Sequence, residues 1–266
     1  MSTSALRQTA PDWCFFDKAK LPADAYYQAL KAAGYAGVEM ADEKHWPLLK
    51  AAGLELVTIC APGMDHGFSD PSTHATLVPK VIAAIELAKA NRSPSVIVFS
   101  GNADGRSHAE GVANCIAGLK QVAAAAERAG VTLLLEVLCR HDHGDYQANN
   151  NRFAVEVIRG VGSPRVKILY DLYHMFKMGE DVQREVIAHL DLIGHLHVAG
   201  APRRNFPGLA PGQEMDYSGI VRAIHAAGYR GWWGQEFLPD GDALDELRRA
   251  RQLFDSFVSA QQAAGG

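Results

Sequence analysis

Short apolar runs alternate with longer amphipathic stretches along almost the whole chain. The runs number eight: WCFF (13–16), AGVEM (36–40), LELVTICA (54–61), SVIVFSG (95–101), VTLLLEVL (131–138), VKILYD (166–171), LIGHLHVAG (192–200) and GWWGQEF (231–237). Their length suits strands, and a continuous apolar run is typical of a strand that is covered on both faces of a parallel sheet. We therefore predict eight strands in one sheet system.

The stretches between these runs have helical spacing and alanine-rich faces, as in residues 23–34, 74–90 and 111–130. Eight strand–helix units in about 250 residues favour an α/β fold with a single (β/α)8 TIM barrel. A doubly wound open sheet is the rival, but no G-x-G-x-x-G follows the first apolar run. We expect residues 1–10 to be a flexible terminus and residues 11–262 to form one catalytic barrel domain.

Composition and charge narrow the function classes. The chain has 266 residues, 48% hydrophobic content and a formal net charge of −4, without a long run of like charges. This balance favours neither nucleic acid nor an anionic membrane as a partner. The four cysteines form no C-x-x-C pair, and the first ten residues lack the apolar core of a signal peptide. We expect a cytoplasmic protein.

Polar side chains stand at the ends of the last four predicted strands. Glu136, Asp171, His197 and Glu236 follow one another at intervals of 35, 26 and 39 residues, each about one strand–helix unit. The carboxyl ends of barrel strands share one rim, where catalytic groups of TIM barrels lie. We therefore expect these four side chains to converge.

Three carboxylates in one barrel mouth repel one another unless a cation neutralises them. Oxygen-rich ligation with one imidazole suits Mn²⁺ or Mg²⁺. The sequence thus predicts a divalent-metal site made by Glu136, Asp171, His197 and Glu236. His195, one layer deeper in the same strand, is expected to be structural or to support a ligand. Glu39 ends the second strand at the same rim, and we favour a satisfied strand-end charge over an orienting role.

The second half of the chain resembles a known superfamily. The segments LLLEVL, VKILYDLYHM, HLHVAGAPRR followed by MDY, and GYRGWWGQEF cover residues 130–240 and are similar to the xylose isomerase-like TIM barrels, and within them to the hydroxypyruvate isomerase family. The resemblance implies the same four metal ligands. It also implies substrate contacts from His174 and Arg204, with Arg203 and His66 as further candidates. Asp142, which follows the fifth strand, is expected to shape the same pocket.

The predicted site suggests its own chemistry. A chelated hydroxycarbonyl compound has an acidified C–H, because the metal stabilises the developing enediolate. Glu136 and Glu236 are the expected catalytic pair, one removing the proton and the other returning it. The resemblance implies an isomerase that converts hydroxypyruvate to tartronate semialdehyde and that can be a homo-oligomer.

Other functions stay open at this point. The resembled hydroxypyruvate isomerases have Gln at the position of His197, whereas ketose 3-epimerases of the tagatose and psicose type have His there. A ketose 3-epimerase is therefore the alternative, and a non-catalytic metal- or sugar-binding barrel is a candidate from another class. An endonuclease IV-like phosphodiesterase is disfavoured by the negative net charge and by too few histidines at strand ends.

Overall fold

Eight parallel strands form a closed barrel in their order along the chain. The computed structural model describes residues 6–208 and 212–259. The strands are β1 (Arg7–Pro11), β2 (Gly37–Glu39), β3 (Glu55–Cys60), β4 (Ser95–Val98), β5 (Thr132–Glu136), β6 (Val166–Asp171), β7 (Ile193–Val198) and β8 (Trp232–Gln235). The predicted (β/α)8 barrel is confirmed, and seven of the eight apolar runs contain the strands that they predicted.

Eleven α-helices occur among the described residues. They are α1 (Asp12–Ala19), α2 (Ala23–Ala32), α3 (Trp46–Ala51), α4 (His74–Asn91), α5 (His108–Ala129), α6 (Arg140–His143), α7 (Asn151–Val161), α8 (Leu172–Lys177), α9 (Val182–Ala188), α10 (Tyr217–Ala226) and α11 (Ala243–Ser259). The longest, α5, begins with a capping box in which Ser107 and Glu110 satisfy each other's backbone N–H groups. None of these helices has the length and apolar character needed to cross a membrane.

The first apolar run was assigned wrongly. WCFF, predicted as a strand, lies in α1, and the first strand is Arg7–Pro11. The pattern missed β1 because two of its four buried positions are polar: Gln8 and Thr9 are fully buried. The Gln8 side chain donates to Asp255 Oδ1 at 3.0 Å and accepts from Gln235 Nε2 at 2.9 Å, so its burial is compensated. The barrel therefore begins earlier than the expected boundary at residue 11; residues 1–5 and 260–262 lie outside the described residues.

Strand register decides which residues reach the carboxyl rim. Pro11 in β1 pairs with Glu39 in β2, and Glu136 in β5 pairs with Leu169 in β6. Asp171 therefore lies two residues beyond the partner of Glu136 on the neighbouring strand. Each of these carboxylates is the last residue of its strand, as the strand-end pattern predicted.

By contacts, the described residues divide into two compact units. One contains residues 6–56, 181–188, 196–208 and 212–259, and the other contains residues 57–180 and 189–195. In the first unit, Trp233 of β8 packs edge-on against Tyr229 and Phe254, with ring centroids 5.7 and 6.2 Å away. In the second unit, β4, β5 and β6 pair in sequence, and the side chains of Leu133 and Leu135 are fully buried.

Candidate functional site

Glu136 and Asp171 are presented by β5 and β6. Both side chains are nearly buried, with exposed fractions of 6% and 1%. Tyr146 donates its hydroxyl to the Glu136 carbonyl oxygen at 3.0 Å, which fixes the strand end that carries this carboxylate. Asp171 is also the N-cap of α8, and its Oδ1 accepts the backbone N–H of His174 at 3.0 Å. The cap holds one carboxylate oxygen and orients the group.

His197 of β7 is held between two carboxylates. Its Nε2 lies 3.1 Å from Glu39 Oε2, and its Nδ1 lies 3.2 Å from Glu236 Oε2. Thr9 donates its hydroxyl to Glu39 Oε1. When Glu39 accepts the Nε2 proton, Nδ1 presents its lone pair on the side of Glu236. This arrangement, in which a carboxylate binds one ring nitrogen and the other nitrogen points toward the group of carboxylates, is the one that orients a histidine metal ligand.

Gly234 of β8 makes room for this pair. A Cβ atom at this position would lie 2.5 Å from Glu39 Oε1 and 2.6 Å from His197 Cδ2. Contacts under 3.0 Å are not tolerated by real Cβ atoms. Any larger residue at this position of WWGQE would therefore displace the Glu39–His197 pair, which glycine leaves in place.

Four of these side chains form a group that could hold a metal ion. One ligand atom from each of Glu136, Asp171, His197 and Glu236 lies within 4.8 Å of the others, and all four residues are buried. Three buried carboxylates this close together repel one another, and a divalent cation among them would offset that repulsion. Three carboxylates and one imidazole are a suitable donor set for Mn²⁺ or Mg²⁺. The residues present thus fit a hard divalent cation.

Glu236 also accepts hydrogen bonds from two residues at the rim, Trp13 in α1 and Arg204 in the segment that follows β7. Arg204 donates Nη2 to Glu236 Oε2 at 2.5 Å, and Trp13 donates its indole N–H to Oε1 at 3.0 Å. The Arg204 guanidinium lies over the Trp13 ring, 5.1 Å from the centroid. Arg203, by contrast, is 72% exposed in its side chain and lies 3.6 Å from Asp240. Of the two arginines, Arg204 is the one that contacts the group of four.

His174 lies beside the same group in α8 and is fully buried. Its Nε2 is 3.6 Å from Asp171 Oδ2, and its Nδ1 is 3.2 Å from Cys139 Sγ. Asp142 Oδ2 approaches the same Nδ1 at 3.7 Å. The predicted substrate-contact residues His174 and Asp142 therefore lie together, next to the metal-ligand candidate Asp171.

Two other histidines named in the sequence analysis, His66 and His195, lie in different surroundings. His66 is exposed and lines a surface cleft of about 310 Å³ with Met64 and Lys80, in the loop that follows β3. Its predicted substrate contact stays a prediction. His195 is 1% exposed and has a ligand atom within 4.8 Å of Glu39 and His197.

Sequence reasoning gave too little weight to three residues. Glu39, for which a strand-end charge was favoured, is fully buried and contacts His197. The strand-end rule that selected the last four strands also selects Glu39, so that signal was available. Trp13 and Gly234 had no such signal, because their roles depend on contacts with residues that are distant in the sequence.

Known proteins are similar to this chain in sequence and in three-dimensional structure. The hydroxypyruvate isomerase of Escherichia coli is 29% identical over 190 residues, which are 71% of this chain and 69% of that protein. A crystal structure described as an AP endonuclease of family 2 from Brucella melitensis superposes with a TM-score of 0.81 at 24% identity and covers 91% of this chain and 96% of that one. A structure of L-ribulose 3-epimerase gives a TM-score of 0.79 at 19% identity, covering 98% and 97%.

The two structural likenesses are below 25% identity and establish the fold. The family model described as xylose isomerase-like TIM barrel matches residues 27–256, which is most of the chain and includes all four proposed ligands. The chain belongs to the xylose isomerase-like TIM barrel family.

Proposed function

We propose that this protein is a divalent-metal-dependent isomerase of a small hydroxycarbonyl compound, with hydroxypyruvate as substrate and tartronate semialdehyde as product. The single observation that supports it most strongly is the buried group of Glu136, Asp171, His197 and Glu236, whose ligand atoms lie within 4.8 Å of one another. The isomerase name of the Escherichia coli relative supports the reaction class.

A divalent ion held by these four residues would polarise a substrate carbonyl and stabilise the negative charge that develops on its oxygens. Side chains of the protein carry out the proton transfers. Glu136 and Glu236 come from β5 and β8, so we assign one of them to remove the proton from carbon and the other to return it at the adjacent carbon. Arg204 and Trp13 orient Glu236 through one hydrogen bond to each of its oxygens.

His174 is the proposed contact for a substrate oxygen. Its ring is fixed by Asp171 on one side and by Cys139 on the other, at 3.6 and 3.2 Å. A ring fixed in this way donates or accepts a hydrogen bond without further loss of side-chain entropy, which favours a defined substrate orientation.

A ketose 3-epimerase is the second candidate, because His197 occupies the position where the resembled epimerases have His. The two reactions begin with the same proton removal and differ in the carbon that receives the proton. The reaction is therefore decided by the position of the incoming proton.

The test uses the protein with Mn²⁺ in D₂O and a panel of hydroxypyruvate, tetroses, pentuloses and hexuloses. Deuterium at the carbon next to the original C–H, with tartronate semialdehyde as product, supports the isomerase. Deuterium at C3 of a ketose supports the epimerase. Binding of a sugar with no deuterium uptake from any substrate would contradict both and would leave a non-catalytic barrel.

The proposed acid–base roles of Glu136 and Glu236 are tested with the variants Glu136→Gln and Glu236→Gln. Glutamine keeps the size and one ligating oxygen but cannot accept a proton at neutral pH. With metal restored, each variant should be slower by at least about 10²-fold. A variant that lacks only the returning acid should still exchange deuterium. Parental turnover in either variant would make that glutamate a ligand only.

A further inference from the structure

A second cluster of metal-binding side chains lies beside the proposed site. Cys139 precedes α6, Asp142 lies within it, and His174 lies in α8. One ligand atom from each lies within 4.8 Å of the other two. The set contains one sulfur, one nitrogen and one oxygen donor, unlike the oxygen-rich group of four described above.

Both measured donor–donor distances in this cluster involve the Nδ1 atom of His174. His174 Nδ1 is 3.2 Å from Cys139 Sγ and 3.7 Å from Asp142 Oδ2. In a tetrahedral zinc site, bonds of about 2.3 Å to sulfur and about 2.0–2.1 Å to nitrogen or oxygen separate neighbouring donors by roughly 3.3–3.6 Å. The observed separations bracket that range, so an ion can bind after small side-chain adjustments.

The atoms around the cluster favour metal binding at Nδ1. The opposite nitrogen, Nε2, lies 3.6 Å from Asp171 Oδ2, the position of a carboxylate that orients a metal-bound histidine. Lys177 binds the other oxygen of Asp142, Oδ1, at 3.0 Å and so leaves Oδ2 on the side of His174. Burial acts to raise the pKa of Asp142, but hydrogen bonds from Lys177 and Tyr173 hold it below its ordinary value.

We propose that Cys139, Asp142 and His174 form a second metal site that selects a thiophilic divalent cation such as Zn²⁺. The donor set supports this selectivity, because a thiolate prefers zinc to the hard ions that suit carboxylates. Burial raises the pKa of the Cys139 thiol to about 11. Binding therefore forms a sulfur–metal bond and releases the thiol proton to solvent, with no change in oxidation state.

Occupation of this site has a consequence for the reaction. It ties His174 Nδ1 and Asp142 to the ion, so the ring that contacts substrate in the proposed function keeps its proton on Nε2 and can no longer accept a hydrogen bond. Zinc then acts as an inhibitor that does not displace the ion of the oxygen-rich site. The inhibition rests on the proposed function, whereas the second site does not. The Asp142 side chain is 28% exposed, which gives the ion access from solvent.

The closing experiment uses Co²⁺ as a spectroscopic substitute for zinc. The full-length protein is first loaded with Mg²⁺ and then titrated with Co²⁺. A cobalt–thiolate bond gives a charge-transfer band in the near ultraviolet, which oxygen and nitrogen ligands do not give. We expect the absorbance of this band at saturation to correspond to one cobalt–thiolate bond per chain in the parent. Added Zn²⁺ should bleach it.

Cys139→Ser should abolish the band, and Cys139→Ala provides a second variant in case one of them folds poorly. The matched control is Cys60→Ser, since Cys60 is exposed at the end of β3 and should not affect the band. In the activity assay, Cys139→Ser should raise the zinc concentration for half-inhibition by at least about tenfold.

An absent band in the parent, or a band that survives in folded Cys139→Ser, would overturn the second site. A band without any isomerase or epimerase activity would keep the site and refute the proposed function, so the two failures are distinguishable.

Discussion

Gly234→Ala tests how tightly the metal-ligand candidate His197 is held. Gly234 lies in β8 with a backbone conformation outside the left-handed region, so alanine meets no backbone strain. Its new methyl group would instead lie 2.5 Å from Glu39 Oε1 and 2.6 Å from His197 Cδ2. The perturbation is therefore confined to a steric contact with the Glu39–His197 pair.

The size of the effect follows from these distances. An ordinary contact is 3.4 Å or more, and even the tight limit is 3.0 Å, so Glu39 Oε1 must retreat by roughly 0.5–0.9 Å. Both partners are fully buried and cannot move into solvent. Overpacking of this kind costs about 1–3 kcal/mol of folding free energy. Metal sites tolerate about 0.2 Å in ligand distance, so we expect metal affinity to fall by about 10–100-fold.

The assay combines urea denaturation of the metal-free protein with calorimetric titration of Mn²⁺. Gly219→Ala in α10 is the matched control, because the nearest atom to its added Cβ is Asp216 Oδ2 at 4.0 Å. This control should be unchanged or more stable by about 0.5–1 kcal/mol. If Gly234→Ala retained both parental stability and parental Mn²⁺ affinity, the close packing of Glu39 and His197 would not be needed for the site.

Two further predictions concern other residues. His174→Ala should keep the metal, because the backbone N–H of residue 174 still caps Asp171. Its kcat/KM should fall by the equivalent of about 1–3 kcal/mol of transition-state stabilisation. Loss of the metal would instead make His174 a ligand of the first site. Burial raises the pKa of Asp12 from 3.8 to about 7, so the folded protein binds more protons than the unfolded chain between these values and loses stability as pH rises through them. Asp12→Asn should remove this loss and be more stable than the parent at pH 8 by on the order of 1–4 kcal/mol, with little difference below pH 4. Parallel pH profiles in urea denaturation would refute it.

The sequence predicted most of the barrel because seven strands are continuous apolar runs. β1 was missed because Gln8 and Thr9 are polar residues in a buried strand, where hydrogen bonds to distant elements compensate their burial. Hydrophobic periodicity cannot detect buried polar residues of this kind. The four proposed ligands were found by the rule that parallel strands share a carboxyl rim, which depends on topology alone.

The supporting contacts could not be predicted in the same way. Glu39 and His197 are 158 residues apart, and Cys139 and His174 are 35 apart. Which side-chain atoms are in contact depends on rotamers and on local packing. The alternation of strands and helices along the sequence gives no information about either. The strand-end rule could place Glu39 at the rim, but its contact with His197 and the contact of Cys139 with His174 emerged only from the three-dimensional arrangement.

The position of Trp13 gives the protein an intrinsic optical probe. Among its four tryptophans, Trp13 is 51% exposed, whereas Trp46, Trp232 and Trp233 are at most 6% exposed. A water-soluble quencher such as iodide will therefore reach Trp13 first. Because the indole N–H binds Glu236 and the ring stacks with Arg204, ligand entry at the rim changes the polarity around this fluorophore. We expect emission from an unlabelled sample to report on binding of the proposed metal and substrate in real time.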